Sequence, residues 1–336
     1  MEFVNITAFS PFYFTNVDQF DREFHILIFR GTFKLKNGVI MKPVPGQDPV
    51  QVSDVFYLDD PLNSTLTESD IIPYKPATDI IVTGHSYAPG GQAKSSWGAQ
   101  VQLGEMKKTI VVYGDRYWYP DSTYGWKLGS AKPAVKVPLC YELAYGGQWR
   151  DNDGNIHCYE QNPVGRGFIG PEQQKQQNPI PAPQIESIEQ SVKHLNGSYR
   201  PEGLGPIGRG WLPRQQLVGT TDESWAKEDF PGLPYDFDFA FYNCAHPDLI
   251  YPGFVRGNEV IKLINLDPAS YIETALPGLM VGALINQKLV TRGFLDTVIL
   301  SPDQQKASLI WRATFRSSEP IHHIEARVID FKEKLA

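Results

Sequence analysis

EFHILIFRGTFKL, residues Glu23 to Leu35, decides the fold class. Its isoleucine, phenylalanine and threonine residues suit the pleated, half-buried surface of a strand. Lys36-Asn37-Gly38 follows and leads into VIMKPV. Asn-Gly between two such runs predicts a two-residue hairpin, because that turn needs left-handed backbone at both central positions. Working outward, strands are predicted over Asp79–Tyr87, Gly98–Leu103, Thr109–Tyr113 and Val135–Tyr145, with the Leu103–Thr109 connection closing another hairpin. Asp236–Asn243 and Glu259–Leu266 also read as strands, and DTVILSPDQQKASLIWRATF (Asp296 to Phe315) reads as two strands around a Ser-Pro-Asp turn. TDESWAKEDF (Thr221 to Phe230) opens with N-cap residues and early acids, so a short helix is expected there. The expected class is mainly β, a β-rich α+β fold of packed antiparallel sheets, sandwich- or barrel-like, with long Gly/Pro-rich loops and few short helices.

The chain has 336 residues, 41% of them hydrophobic, enough for a sizeable core. Its 29 glycines and 27 prolines exceed the usual share without any collagen-like period, which favours turns and short strands over a helical bundle. The 336 residues form a single domain, or two β-rich lobes (1–147 and 215–336) joined by a loop-rich segment, 148–214. Structureless stretches as long as 148–214 are uncommon in compact domains unless functional or ordered by packing. Within it, PEQQKQQNPIPAP (Pro171 to Pro183) is expected to be a mobile, exposed insertion. The balance of 31 basic and 38 acidic residues, net −7, argues against sequence-independent nucleic-acid binding. Cys140, Cys158 and Cys244 form no CxxC pair, so neither a disulfide scaffold nor a cysteine zinc site is expected. MEFVNITAFSPFYF lacks the basic start of a secretory signal. The longest apolar run, Leu276–Ile285, falls well short of the roughly 20 residues a membrane span needs. A soluble cytoplasmic protein with no membrane partner is the expectation.

Several strings resemble chemical motifs. Gly84-His85-Ser86-Tyr87-Ala88 after a β-forming run is similar to the hydrolase nucleophile elbow, but Pro89-Gly90-Gly91 follows where a helix must start. A hydrolase using Ser86 with a histidine such as His246 is the enzymatic alternative. Asp151-Asn152-Asp153-Gly154-Asn155 matches the opening of a calcium loop, yet Ile156 and Asn162 occupy the positions that need glycine and glutamate, leaving a tight polar turn. Gly203, Gly205 and Gly208 match GxGxxG without the required flanking strand and helix, so no cofactor is expected. The histidines show no metal-ligand spacing, although Asp79, His85 and His246 could form a composite site. Asp115-Arg116 reads as an exposed functional pair or as an ion pair tying a loop to a sheet. NPVGRGF (Asn162 to Phe168) and GPIGRGW (Gly205 to Trp211) echo one another, suggesting two loops of matched backbone shape. Each places an arginine, Arg166 or Arg209, where its planar fork suits carboxylate or phosphate.

Taken in order, SDIIPYKPATDIIVTGHSYAPGG (Ser69 to Gly91), VVYGDRYWYP (Val111 to Pro120), VPLCYELAYGG with QNPVGRGF (Val137 to Phe168), GLGPIGRGWLPR (Gly203 to Arg214) and the stretch from DESW to FPGLPYDFDFAFYNCAHPD (Asp222 to Asp248) resemble the bacterial domain-of-unknown-function 2169 family. The resemblance runs from about Phe9 to Phe315. Cys244 and His246 depart from the alanine-proline pairing more usual there. It implies a cytoplasmic, non-catalytic adaptor or chaperone. Such a protein would hold a type VI secretion effector and help load it onto the trimeric spike or its tip protein. A structural component of the secretion apparatus is a further alternative. On this reading the interaction elements are the two Gly-Arg-Gly loops with Trp211, the Pro171–Pro183 segment and the strand end at His85. Asp79, Asp115, Arg116 and Trp225 are the remaining candidate binding residues.

Overall fold

The computed structural model describes residues 1–123, 125–176, 178–228 and 230–329. Strands take up 40% of the chain and helical turns 11%, in several packed sheets of which none closes into a barrel. The two α-helices among the described residues, Pro171–Lys175 and Glu223–Glu228, are short. The second lies where the N-cap signal placed it. No helix among the described residues is long and apolar enough to cross a membrane.

The decisive run forms the strand Glu23–Lys34. It lies inside a seven-stranded sheet ordered Ser10–Val17, Glu23–Lys34, Lys306–Phe315, Phe294–Ser301, Thr78–Val82, Ile250–Tyr251, with Lys42–Pro43 beside Glu23–Lys34. Every residue from Ile26 to Phe33, and all of Thr78–Val82, is buried. Strands covered on both faces need apolar residues on both, which is why they read as continuous runs. A five-stranded sheet, ordered Ile185–Ser187, Met106–Tyr113, Ser96–Leu103, Val260–Ile264, Tyr271–Ala275, buries one face only. Along Ser96–Leu103 the buried Trp97, Ala99, Val101 and Leu103 alternate with outward residues. Glu2–Asn5, His323–Ile329, Met280–Ile285 and Leu289–Arg292 form a four-stranded sheet. All three sheets feed one apolar core, through residues such as Ile28, Trp311, Val101, Leu263, Ala283 and Ile324. Both larger sheets mix strands from residues 1–147 and 215–336.

Five expectations change. The sheets are mixed rather than purely antiparallel: Glu2–Asn5 runs parallel to His323–Ile329, and Thr78–Val82 parallel to Phe294–Ser301, across connections long enough to bring the chain back in the same direction. Asn37-Gly38 does not close a tight hairpin. Glu273 N–H donates to Asn37 Oδ1 at 2.8 Å and Gly38 N–H to Glu273 O at 2.8 Å, so the segment caps the edge of the five-stranded sheet and leaves only Phe33 and Lys34 to pair with Pro43 and Lys42. Asp79–Tyr87 splits into Thr78–Val82 and His85–Tyr87 at Gly84, whose φ of +108° and whose closeness to the Asp303 carboxylate exclude a side chain. Val135–Tyr145 likewise keeps only Lys136–Pro138 as strand before a 3₁₀ turn, Tyr141–Leu143. Asp236–Asn243 is a 3₁₀ turn, Phe239–Tyr242, in which Asp238 accepts the Ala240 N–H at 2.8 Å. Its alternating phenylalanines pack on one another, Phe237 lying 5.4 Å from Phe239 and 5.6 Å from Phe241, and not on opposite sheet faces. The other hairpins form as expected, at Leu103–Met106 and Ser301–Lys306.

The described residues of 148–214 are ordered by packing. Ile180–Pro181 pairs with Tyr117–Trp118, and Ile185–Ser187 is an edge strand of the five-stranded sheet. Trp118, Tyr145, Ala182 and Val192 make a satellite core onto which Tyr159 and Tyr199 pack. Pro171–Pro183 is therefore not a free insertion: its ends are a helix and a paired strand, and Ala182 is fully buried.

Candidate functional site

Charged side chains buried in the interior need partners, since an unpaired ion in an apolar interior is far costlier than a paired one. Six buried ion pairs meet that need among the described residues: Arg30–Asp70, Lys75–Asp79, Lys108–Glu202, Arg116–Glu186, Arg214–Glu68 and Arg312–Asp296. They absorb two of the sequence candidates. Asp79 receives Lys75 Nζ at 2.7 Å, Asn243 Nδ2 at 3.0 Å and Cys244 N–H at 2.9 Å. Arg116 pairs with Glu186, donates to Pro183 O at 2.7 Å and lies 3.8 Å over the Tyr113 ring. It turns inward, away from exposed Asp115, so the Asp115–Arg116 pair does not form. Burial and the neighbouring Asp79 charge raise the Cys244 thiol well above its ordinary value, which makes it inert.

The Gly84–Ala88 string forms no nucleophile elbow. Ser86 has no exposed surface; its Oγ donates to Asn265 O at 2.9 Å and accepts from Trp97 Nε1 at 2.8 Å. His85, its neighbour on the strand, points to the other face and meets Asp303 Oδ2 through Nδ1 at 2.6 Å, while Tyr87 OH donates to Asp303 Oδ1 at 2.9 Å. Burial, then the Asp303 bond, push the Tyr87 hydroxyl up to about 12. Ser86→Ala leaves the Trp97 indole N–H unpaired and takes one of two donors from Asn265 O, which keeps the Tyr87 N–H at 2.8 Å, so we expect a stability loss of about 1–3 kcal/mol by urea unfolding. A fluorophosphonate probe is expected to leave Ser86 unlabelled; labelling there would reinstate the hydrolase.

His246 belongs to a third cluster, so Asp79, His85 and His246 do not share a site. Glu202, His246 and Asp248 offer ligand atoms within 4.8 Å of one another, a spacing that suits a cation. Lys108 Nζ contacts all three: it pairs with Glu202, lies 3.4 Å from His246 Nε2 and donates to Asp248 Oδ2 at 3.1 Å. The ammonium group is thus the cation of the cluster. Arg200 closes it, 2.7 Å from Asp248 Oδ1 and 3.2 Å from His246 Nδ1. Above it opens a cavity of about 350 Å³ lined by Tyr141, Arg200, Ile207, Leu212 and His246. Burial, then the Lys108 and Arg200 charges, lower His246 to about 3. Burial alone would raise Asp248, but the Arg200 bond and the Lys108 charge hold it at about 2.

His246 takes up a proton near 6.5 when unfolded but only near 3 when folded, so its contribution is complete above 6.5 and is lost as pH falls from 6.5 towards 3. Asp248 acts lower, between its ordinary 3.8 and about 2. We expect urea midpoints to decline from pH 6.5 to about 4, and His246→Gln to flatten that decline.

The remaining candidates scatter. Arg166 donates to Gln184 Oε1 at 3.3 Å, whereas Arg209 lies against Asp54 at 3.2 Å and Glu68 at 3.5 Å. Gly167 has φ +111° and its counterpart Gly210 no positive φ, so the two loops differ in backbone shape despite their shared string. Trp211 meets Tyr141 edge to face at 5.5 Å, and Trp225 meets Phe230 likewise while donating to Gly232 O at 3.1 Å. The Asp151–Asn155 turn is closed on itself, Asp151 Oδ1 accepting the Asp153 and Asn155 N–H groups.

A family model described as "Uncharacterized protein conserved in bacteria (DUF2169)" matches residues 21–312. The chain belongs to this family. No curated protein and no solved structure matches it. The strings that resemble the family hold much of the buried charge: Asp70, Lys75 and Asp79 lie within Ser69–Gly91, and Arg214 closes Gly203–Arg214. Sequence reasoning missed an exposed aromatic group, Phe20, Tyr74 and Tyr235, although Tyr74 and Tyr235 stand inside family strings. Tyrosines beside prolines, in PYKP and LPYD, were the available signal.

Proposed function

We propose that this member of the family is a cytoplasmic, non-catalytic adaptor that binds a type VI secretion effector and helps load it onto the spike complex. The ordered family strings suggest the role. The observation that carries binding is the exposed aromatic pair Phe20 and Tyr235, edge to face at 5.1 Å, with the Arg22 guanidinium 4.6 Å over the Phe20 ring. Surface aromatics beside arginine are the anchors typical of protein interfaces. The test is a tagged pull-down from the native bacterium with the secretion machine expressed, read by mass spectrometry, alongside effector export from a strain lacking the gene. Recovery of a toxin-like protein, with export lost in the deletion strain, supports the adaptor. Unchanged export sinks it, and recovery in the assembled needle favours a structural component.

A further inference from the structure

Beside Phe20 lies a cavity of about 510 Å³ whose apolar wall is Phe24, Tyr74, Phe239 and Phe315. Its polar side is Arg22 and Arg316, both half-exposed and both on one carboxylate: Arg22 Nε donates to Asp18 Oδ2 at 2.8 Å and Arg316 Nη2 to the same oxygen at 2.9 Å. Asp18 Oδ1 is taken by the Phe20 and Arg22 N–H groups. Two guanidinium groups sharing one carboxylate leave a local charge of +1 on a chain whose net charge is −7. Gln19 also lines the cavity, and its Oε1 is shut away from solvent with no hydrogen-bond partner. Gln19 as a residue is only half-buried, so a turn of its side chain towards the cavity would bring this orphaned acceptor to a ligand donor and relieve its desolvation cost.

The complementary ligand brings an anion for the guanidinium fork, an N–H for Gln19 and an apolar side chain for the rings. The last residue of a polypeptide carries all three on one Cα. We propose that this cavity captures the C-terminal residue of a partner polypeptide, with the α-carboxylate on Arg22 and Arg316, the main-chain N–H on Gln19 Oε1 and an aromatic or large aliphatic side chain against Phe24, Tyr74, Phe239 and Phe315. The inference rests on the binding-protein reading but not on the secretion role.

Fluorescence anisotropy tests it with N-terminally fluorescein-labelled Gly-Ser-Gly-Phe as free acid and as amide, and with labelled Gly-Phe-Glu-Gly amide. The free acid is expected to bind at least about tenfold more tightly than its amide, the equivalent of one charge-assisted hydrogen bond. Arg316→Gln should erase that preference, and Tyr74→Ala should weaken acid and amide alike, with thermal melts confirming that each variant folds. Equal binding of acid and amide, or no binding of the acid, overturns the proposal. Gly-Phe-Glu-Gly amide binding as well as the free acid overturns it in favour of an internal acidic segment. If the pull-down recovers a partner while the peptides fail, the pocket assignment alone falls; if the peptides bind while export is unaffected by gene loss, only the adaptor role falls.

Discussion

Asp79→Ala is expected to lower the free energy of unfolding by about 3–5 kcal/mol, the range for removing one partner of a buried ion pair. Lys75 is fully enclosed, and burial alone would lower its pKa; the Asp79 charge instead holds it above the ordinary lysine value. With Asp79 gone, an ammonium, the Asn243 amide and the Cys244 N–H lose their shared acceptor in one step. Urea unfolding at pH 7 measures the loss. Asp79→Asn keeps an acceptor and should cost less. Replacing both members, Lys75→Met with Asp79→Leu, should recover only part of the deficit, because the desolvation cost of both ions leaves with the pair while the Asn243 amide and the Cys244 N–H still lack the carboxylate. A loss below about 1 kcal/mol for Asp79→Ala would show that the pair is not the support described.

Trp311→Ala should cost about 3–5 kcal/mol for a different reason, an empty space that the core cannot close. The indole is 2% exposed, stacks on Phe9 at 5.3 Å and lies 6.1 Å from Phe33. Its strand, Lys306–Phe315, is paired on both edges, by Glu23–Lys34 and Phe294–Ser301, so the backbone cannot move in to fill the void. Trp225→Ala is the matched control. That indole is only half-buried on a short helix, and its removal should cost about 1 kcal/mol or less. Equal losses at the two sites would refute the assignment of Trp311 to the core.

What could be read from the sequence follows how locally each feature is determined. HILIF and TVIL announce strands because strands covered on both faces must be apolar at every position, a condition written within a few residues. Arg30, directly after HILIF, and Arg312, on the neighbouring strand Lys306–Phe315, are charges that such strands can hold only with buried partners. The partners themselves were not legible: Asp70 and Asp296 are reached by folding, and no spacing rule connects Arg30 to a carboxylate 40 positions away. FDFAFY misled because its alternation has the period of a strand, while Asp238, a good N-cap, argued for the helical turn that forms. Asn37-Gly38 misled in the other direction, since a neighbouring strand edge took the bonds that a hairpin would have used. The arginine pair of the aromatic cavity was least visible, because Arg22 and Arg316 meet only through Asp18.

The pairing of Glu23–Lys34 with Lys306–Phe315 sets a timetable for synthesis. At roughly 5–20 residues per second, the ribosome takes tens of seconds to deliver the second strand after the first. Meanwhile the buried strand Glu23–Lys34 has only Ser10–Val17 and Lys42–Pro43 to pair with, and non-local pairing of this kind is slow even once all strands exist. The central sheet is thus assembled only once Lys306–Phe315 has been made, and nascent chains halted before Lys306 should be the aggregation-prone species and the natural substrates of general folding factors.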